Sequence, residues 1–567
     1  MVQKENSHIR NQYDVVIIGG GISGLTSSAL LTKAGLSCCL LEMDARPGGY
    51  LAGFDRGPFR FDSAIHWLNN CDENGWVGKI FKIIGNDFPK APTQNRIRRF
   101  VSNEFDYLVS NKPDQLKEQW IAEFPEDKKG IIQFFKDAKK ISKSFENYLN
   151  LSRTMDTMGI YNKIAYGFKM LKFAIPFIPH VKYSGDKKVQ QKLEKYFSNE
   201  RLRNVFSAEP DILSCLIPIA WAYSNNYQTP PIGGSQRYPE WLLHASSSMG
   251  ADIFLKSKVV KIISNGDKAT SVKLIQNKME KEIQAKYFVV ASDASSLYNK
   301  LLPKTKSGDL IINNLKQAQL YSSALTVSIG LNCTAESLGL GEENIYLADT
   351  HFSREELSKG GPQKNGMHII ASSVRDSSLA PTTKGTLTLF IPAELEDNNY
   401  WNCERADDGS FIRGSAYKKL KEEYAQILFD RIEERLIPNL RSHIELYDVS
   451  TPITLLRYTG NKNGSMMGQR PGKQNMKSKV ASYKTPFKNV YQSGHWADLG
   501  GGILIAMKSA VNTSLMILKK ERPKHFKILA NYIDGNIDVH KLHSSEKWKE
   551  YANDWVQKKT PAERLNP

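Results

Sequence analysis

The chain opens on its most strongly patterned segment. Tyr13-Asp14-Val15-Val16-Ile17-Ile18 is a β-branched run that reads as a strand buried on both faces, and it ends directly in glycines. Leu25, Ala29, Leu30 and Ala34 follow at helical spacing ahead of Gly35. A second apolar run, Cys38 to Leu41, stops at Glu42. The three pieces make a β-α-β unit of roughly thirty residues, the crossover that parallel strands require.

From about residue 75 to 230 the chain is richer in Lys, Phe and Tyr and reads as helical, as in Ile131 to Tyr148, which predicts an inserted domain. Strand patterns return between 230 and 300. Ile253 to Ile263 reads as one strand and Tyr287-Phe288-Val289-Val290-Ala291 as a core strand, both rejoining the first sheet. Residues 301 to 480 are mixed, with strands predicted over Ala324 to Gly330 and Thr386 to Ile391, a charged helix around Tyr417 to Ile437, and a Gly/Asn/Lys-rich stretch from Tyr458 to Ser478. Asn489 to Gly494 predicts a last strand, followed by glycines and a helix from about Ile503 to Lys519. The tail beyond Pro523 is polar and weakly patterned. Neither an internal repeat nor a low-complexity tract is visible.

Composition narrows the class. A length of 567 residues corresponds to about three to four domain equivalents. With 41% hydrophobic and 24% charged residues the chain is neither disordered nor collagen-like. Its six cysteines (Cys38, Cys39, Cys71, Cys215, Cys333, Cys403) form no C-x-x-C pair, which suggests a reducing compartment and no cysteine zinc site. The formal charge of +18 favours anionic partners, nucleic acid or acidic lipid. The polar amino terminus has no apolar h-region and no run of about 18 apolar residues occurs, so a cytoplasmic, non-spanning protein is expected.

Gly19, Gly21 and Gly24 form G-x-G-x-x-G between the predicted strand and helix, and Glu42 stands at the end of the next strand. In that setting the first glycine permits a tight turn, the second lets backbone approach a pyrophosphate, and the third allows close helix–strand packing. Phosphate then rests on a helix N-terminus, and Glu42 accepts the adenosine ribose hydroxyls. FAD and NAD share this module. Glu42-Met43-Asp44-Ala45-Arg46-Pro47-Gly48-Gly49-Tyr50 adds a basic residue and a glycine pair after the ribose acid, which reads as a second close approach to a longer cofactor; an ordinary Pro-Gly turn is the alternative. Near the far end, Gly494-His495-Trp496 runs through Gly500-Gly501-Gly502 into Ile503, another strand joined to a glycine-rich helix N-terminus. Free N–H groups and a positive dipole end gather there, and they would stabilise the negative charge of a reduced flavin.

These segments resemble the phytoene-desaturase-like flavoproteins, which include carotenoid desaturases, carotenoid isomerases and retinol saturases. The likeness is carried by Val15 to Gly24, Glu42 to Tyr50, Phe61-Asp62-Ser63-Ala64-Ile65-His66-Trp67, Pro231-Ile232-Gly233-Gly234-Ser235, Val289 to Ala294 and the terminal glycine segment. It implies an α/β fold: a Rossmann-type FAD-binding domain of the monoamine-oxidase and phytoene-desaturase kind with an inserted mixed α+β substrate domain. The FAD-binding domain would comprise residues 10–74, 230–300 and 483–520, the substrate domain 75–229 and 301–482, with 521–567 as a tail. It implies further that Gly19, Gly21, Gly24, Glu42, Arg46, Gly48 and Gly49 contact FAD, with Ile22, Ser23, Met43 and Tyr50 in the same segments. Val259 would lie beside the adenine, and His495, Gly501, Gly502, Ile503 and Leu504 would reach the flavin end. Two positions depart from the family pattern: an acid or amide is usual where His495 stands, and glycine where Ala64 stands.

The implied chemistry is redox or isomerisation at carbon–carbon double bonds of a polyene or isoprenoid lipid, with transient NAD(P)H, a quinone or oxygen closing the cycle. Orientation in a dry slot is then the main work of the protein. His66, Trp67, His495 and Trp496 are the residues expected nearest the flavin ring, with core packing as the competing role of each. There is no nucleophile with its base and no metal motif such as H-E-x-x-H. A flavin amine oxidase of the same fold and a non-catalytic prenyl-lipid escort are the alternative functions. Residues 157–185 interleave Ile160, Tyr161, Ile164, Phe168, Leu171 and Ile175 with Lys163, Lys169, Lys172 and Lys182 and contain no acid, which fits peripheral contact with a lipid surface or a cap over the substrate pocket. No nucleic-acid motif accompanies the charge.

Overall fold

The β-branched opening run forms β1 (Gln12–Ile18), α1 (Ile22–Lys33) crosses over, and β2 (Cys38–Leu41) returns parallel to β1, with Val15 beside Cys38 and Ile18 beside Leu41. The computed structural model describes residues 9–148, 151–478 and 480–565. Further along the chain come β3 (Arg96–Val101), β4 (Asp106–Ser110), α2 (Ile160–Ala174), β5 (Asp252–Phe254), β6 (Ser257–Asn265), β7 (Lys268–Gln276) and β8 (Met279–Val290). The last third contributes β9 (Ser323–Leu331), β10 (Asn344–Leu347), β11 (Met367–Ile370), β12 (Gly385–Ala393), α3 (Ser415–Arg435), β13 (Ile444–Ser450), β14 (Val490–Gln492) and α4 (Gly502–Glu521).

One sheet runs β5-β2-β1-β8-β7-β6, with β14 pairing the carboxyl end of β8 in parallel. Segments from the start, middle and end of the chain therefore share it. Every residue of α1 is buried, between α4 on one side and the helix Arg237–Ser248 on the other. Two of its serines find partners inside, Ser23 with Ser493 and Ser28 with Ser246, each at 2.6 Å between hydroxyl oxygens. The expected single strand over Ile253 to Ile263 is two strands on opposite edges of this sheet. The chain turns at Lys256 (φ 53°), held by Phe254 O accepting from Glu42 N at 2.9 Å and Ser257 N donating to Glu42 O at 2.8 Å.

A second sheet runs β13-β9-β12-β11-β10-β3-β4. Its β3 and β4 come from the stretch expected to be helical. There Arg96-Ile97-Arg98-Arg99-Phe100-Val101 builds a strand that pairs with neighbouring β4 on one side and with β10, far away in sequence, on the other, and the lysine- and aromatic-rich surroundings mask it. The helices after β4 form an aromatic core of Trp120, Phe134, Phe135 and Phe197, all essentially solvent-free. α3 closes one face of the second sheet with Leu428, Phe429 and Ile432 over Val327, Ile369 and Leu389. The polar tail is packed rather than loose: Trp548 and Tyr551 enter the core beside the first sheet, and Tyr551 Oη donates to Asp87 at 2.7 Å. α4 is long and apolar enough to cross a bilayer by length and composition, yet 78% of that window is buried inside the molecule, which makes it a core helix.

Candidate cofactor and substrate site

The three glycines of the first loop do different work. A side chain at Gly24 would overlap the Gly19 carbonyl, so this position exists to let α1 press on β1. Gly21 has ordinary extended backbone (φ −70°) and nothing within 4 Å of where a Cβ would stand. Its missing side chain leaves room for something outside the protein. Gly48 (φ 123°) takes a conformation that favours glycine and donates its N–H to Gly20 O at 2.8 Å, while Gly49 lies against Gly21. The second glycine pair is thus laid along the rim of the first loop.

Glu42 sits at the carboxyl end of β2 with Oε2 accepting from Gly20 N at 2.5 Å and Oε1 from Asp44 N at 2.7 Å. Burial pushes its carboxyl up, and the two N–H groups pull against that shift. Each oxygen keeps acceptor capacity for a ribose hydroxyl. Arg46 donates to Gly53 O at 3.0 Å with its guanidinium over the Tyr458 ring, and exposed Met43 reaches toward Gly460. Val259 lies on β6 two residues beyond the Ser257 N–H that pins Glu42, at the nucleoside end of the loop.

The far glycine cluster is adjacent to the first. Ser23 Oγ, in the first turn of α1, lies 2.6 Å from Ser493 Oγ, and Ser509 Oγ of α4 accepts from Gly494 N at 2.6 Å. What Ser23 can offer a ligand is therefore its backbone N–H. Both helices start from a glycine N-cap with no side-chain cap and no acid in the first turn. Each helix thus has a positive end with free N–H groups, and the first turn of α1 packs on the body of α4, two turns in from its N-terminus, at Ser509. Gly502 (φ 83°) is open like Gly21, whereas Gly501 is closed by the Met467 sulfur. Ile503 is core and Leu504 half-buried beside it. These open glycines and uncapped helix ends fit an extended diphosphate-linked dinucleotide.

The four aromatic candidates separate. His66 is 4% exposed with Nδ1 lacking a hydrogen-bond partner, and its ring stacks on Phe390 at 5.5 Å. His495 Nε2 is also buried without a partner, 6.3 Å ring to ring from Tyr50, whose hydroxyl donates to Ser465 O. Trp67 stacks on Tyr227 at 6.4 Å. Trp496 differs from expectation: it is 2% exposed among the residues beneath the first sheet, and its indole N–H donates to Asn461 at 2.8 Å, which leaves no free face for a cofactor ring. Its side chain fixes the loop that presents His495. Sequence reading missed His368, Phe390 and Tyr346, which the register brings opposite one another on the second sheet. Their only trace in sequence is polar or aromatic residues at alternate positions of short strands. Among the described residues no cluster of His, Cys, Asp or Glu could hold a metal.

Burial holds His66 down at about 3, with the Arg375 guanidinium adding to the effect, and His495 down at about 4. Both rings are neutral at pH 7. An unfolded histidine titrates near ~6.5, so these groups contribute stability that is complete above that pH and is lost as pH falls toward 4 and then 3. Each should steepen the acid limb by about 1.4 kcal/mol per pH unit. Urea unfolding between pH 6.5 and 4 should be shallower by that amount in His495→Asn; an unchanged slope would show that the ring is hydrated in the native state.

Comparison with known proteins agrees with this geometry. Residues 17–84 match the model of an NAD(P)-binding Rossmann-like domain. The chain is 25% identical over 532 residues to an all-trans-retinol 13,14-reductase of Danio rerio, covering 86% of this chain and 83% of the relative. It is 24% identical over 474 residues to a chloroplastic prolycopene isomerase of Daucus carota (80% and 71%), and 23% over 534 residues to a lycopene-forming phytoene desaturase of a Paracoccus strain (90% and 99%). A structure of putrescine oxidase shares the fold, with a TM-score of 0.56 at 13% identity over 90% of this chain and 99% of that one. Fold and loop together define a Rossmann-like dinucleotide-binding protein built as the flavin oxidases are. Within that class the chain resembles retinol reductases, carotenoid isomerases and carotenoid desaturases over most of its length.

Proposed function

We propose that this oxidoreductase binds FAD with its diphosphate on the first turn of α1 and its ring at the first turn of α4, and acts on carbon–carbon double bonds of a polyene isoprenoid. The observation that carries this reading is the pair of uncapped glycine helix ends with an open glycine at each, in two helices joined through Ser23, Ser493 and Ser509. The relatives' names, a retinol reductase, a carotenoid isomerase and a carotenoid desaturase, supply the substrate class and the choice of redox or isomerisation.

Bound flavin supplies hydride acceptance or donation. The chain's own residues do the rest. N–H groups at the start of α4 would hold the flavin end of the cofactor and favour negative charge there. Glu42 anchors the ribose, and Gly21 and Gly49 let backbone N–H groups reach the diphosphate. Phe390 and His368 stack on one another with Tyr346 tilted beside them, an aromatic column beside which a conjugated chain can lie. Neutral His66 and His495 can hydrogen-bond but do not deliver a proton at pH 7 as imidazolium. An amine oxidase role is disfavoured by the charge of this region, where Arg375, which has no ion-paired carboxylate among the described residues, would repel an alkylammonium.

Such a substrate resides in lipid, and the same reading puts α2 on a membrane surface. None of its residues is buried; Ile160, Tyr161 and Phe168 are 74%, 88% and 70% exposed, with Lys163, Lys169 and Lys172 around them. Phe177, just beyond, ties the segment down by packing on Phe145 at 5.8 Å. To test the reaction, lipids of producing cells with and without the chain would be compared by mass. A polyene changed by two hydrogens, or isomerised at constant mass, is expected; unchanged polyenes alongside peroxide formed from amines would transfer the assignment to amine oxidation.

A further inference from the structure

The second sheet presents two unlike faces. α3 closes one of them. The other carries a cross-strand row in which Thr326 pairs with Phe390, Phe390 with His368 and His368 with Tyr346. Phe390, His368 and Tyr346 are each partly exposed although they lie in the interior of the sheet, so this face borders open space. The rings are ordered along it: His368 stacks on Phe390 at 4.5 Å and 8°, and His66 stacks on Phe390 at 5.5 Å and 17°.

One end of this wall is charged. Arg375 donates from Nη1 to His66 O at 2.6 Å and from Nε to Glu342 O at 2.6 Å. Both partners are neutral carbonyls. Its Nη2 is buried with no hydrogen-bond partner, and no carboxylate among the described residues lies within ion-pair distance of it. Glu342, Glu343 and Asp62 act on it only from farther away. Arg375 is half-buried as a residue, and a guanidinium nitrogen taken out of water without an acceptor is costly until something completes its hydrogen bonds. A second unsatisfied polar atom stands beside it, since His66 Nδ1 is 4% exposed at the residue level and unpartnered. As its Nδ1–H tautomer that ring is a donor too. A buried cationic donor and an unpartnered imidazole nitrogen, on two residues joined by a hydrogen bond, thus lie at the end of the aromatic row.

We propose that this end of the chamber binds a terminal carboxylate, so that the substrate is a polyene acid whose head is fixed by Arg375 and His66 while its conjugated chain lies along Phe390 and His368. The proposal rests on the polyene reading above and narrows it from neutral hydrocarbons to chains with an anionic end. The head group would set which double bond stops at the flavin, because a chain pinned at one end can slide no further.

The test uses FAD-loaded protein and three ligands: an all-trans polyene carboxylic acid, its methyl ester and the parent hydrocarbon. Binding is followed by quenching of tryptophan fluorescence. A charge-assisted hydrogen bond should make the acid bind about ten- to hundredfold more tightly than the ester. That ratio should collapse toward unity in Arg375→Gln and recover in part in Arg375→Lys. Equal binding of acid and ester by the unaltered protein overturns the proposal even should the variants fail to fold. It is overturned equally when Arg375→Gln loosens FAD and leaves the ratio intact, since the guanidinium then serves the cofactor. Failure of all three ligands to bind would remove the polyene reading itself, whereas ester and hydrocarbon binding as well as the acid would remove only this inference.

Discussion

Gly21→Val should yield a folded, colourless protein. Backbone at Gly21 is extended, which valine adopts readily, and no atom stands within 4 Å of the new Cβ, so melting should shift by only a few degrees. The isopropyl group would occupy the space that the account gives to the diphosphate. Loss of that approach is expected to weaken FAD by about hundredfold or more, equivalent to about 3 kcal/mol. Gly24→Val makes the contrast, because its side chain would collide with the Gly19 carbonyl and separate α1 from β1. Here the fold should fail first, with little soluble protein at all. Thermal melts and bound flavin, measured on both variants, check the pair; a yellow Gly21→Val protein would show that the open space at Gly21 is not the diphosphate site.

The second large effect concerns α2. Reversing Lys163, Lys169 and Lys172 to glutamate should reduce binding to vesicles rich in phosphatidylserine by about hundredfold or more, because each lysine near an anionic surface is worth about 1 kcal/mol. Stability should not move, since no residue of α2 is buried. Replacing Phe168 and Ile164 by serine should weaken binding to neutral and anionic vesicles alike, because those side chains supply the apolar contribution. Sedimentation with vesicles of the two compositions separates the contributions. Full binding by the triple glutamate variant would mean that another surface meets the lipid, and absence of binding by the unaltered chain would make α2 a cover for some other partner.

How much of this could be read from sequence depended on how far apart the interacting residues lie. The first β-α-β unit was legible because strand, glycine turn, helix and ribose acid fall within about thirty residues and every step is local. The joining of β8 and β14 to β1 was legible from buried β-branched runs such as Phe288-Val289-Val290. β3 and β4 were not: they form a local hairpin whose short alternation is masked by charged residues on both strands, and the pairing of β3 with β10, more than two hundred residues away, leaves no local period. The split at Lys256 was hidden for a related reason: apolar residues continue on both sides, and the turn is imposed by hydrogen bonds from Glu42 and Asp44. In the site, the glycines could be assigned from spacing, but the difference between Gly21, which faces open space, and Gly501, which faces Met467, exists only in three dimensions. Trp496 looked equivalent to His495 in sequence. Asn461, from a loop of another region, takes its indole N–H and makes it a core residue. Arg375 carried no signal, since an arginine among polar residues is ordinarily a solvated one and only burial without a carboxylate distinguishes it.

A crystal structure of the chain grown with FAD tests the central claim most directly. The account predicts electron density for the diphosphate against Gly21 and the first turn of α1, the ribose on Glu42, and the pyrimidine edge of the ring at the first turn of α4 beside His495. Density for adenosine diphosphate elsewhere, or a ring lying away from Gly502 with Met467 still closing that helix end, would contradict it.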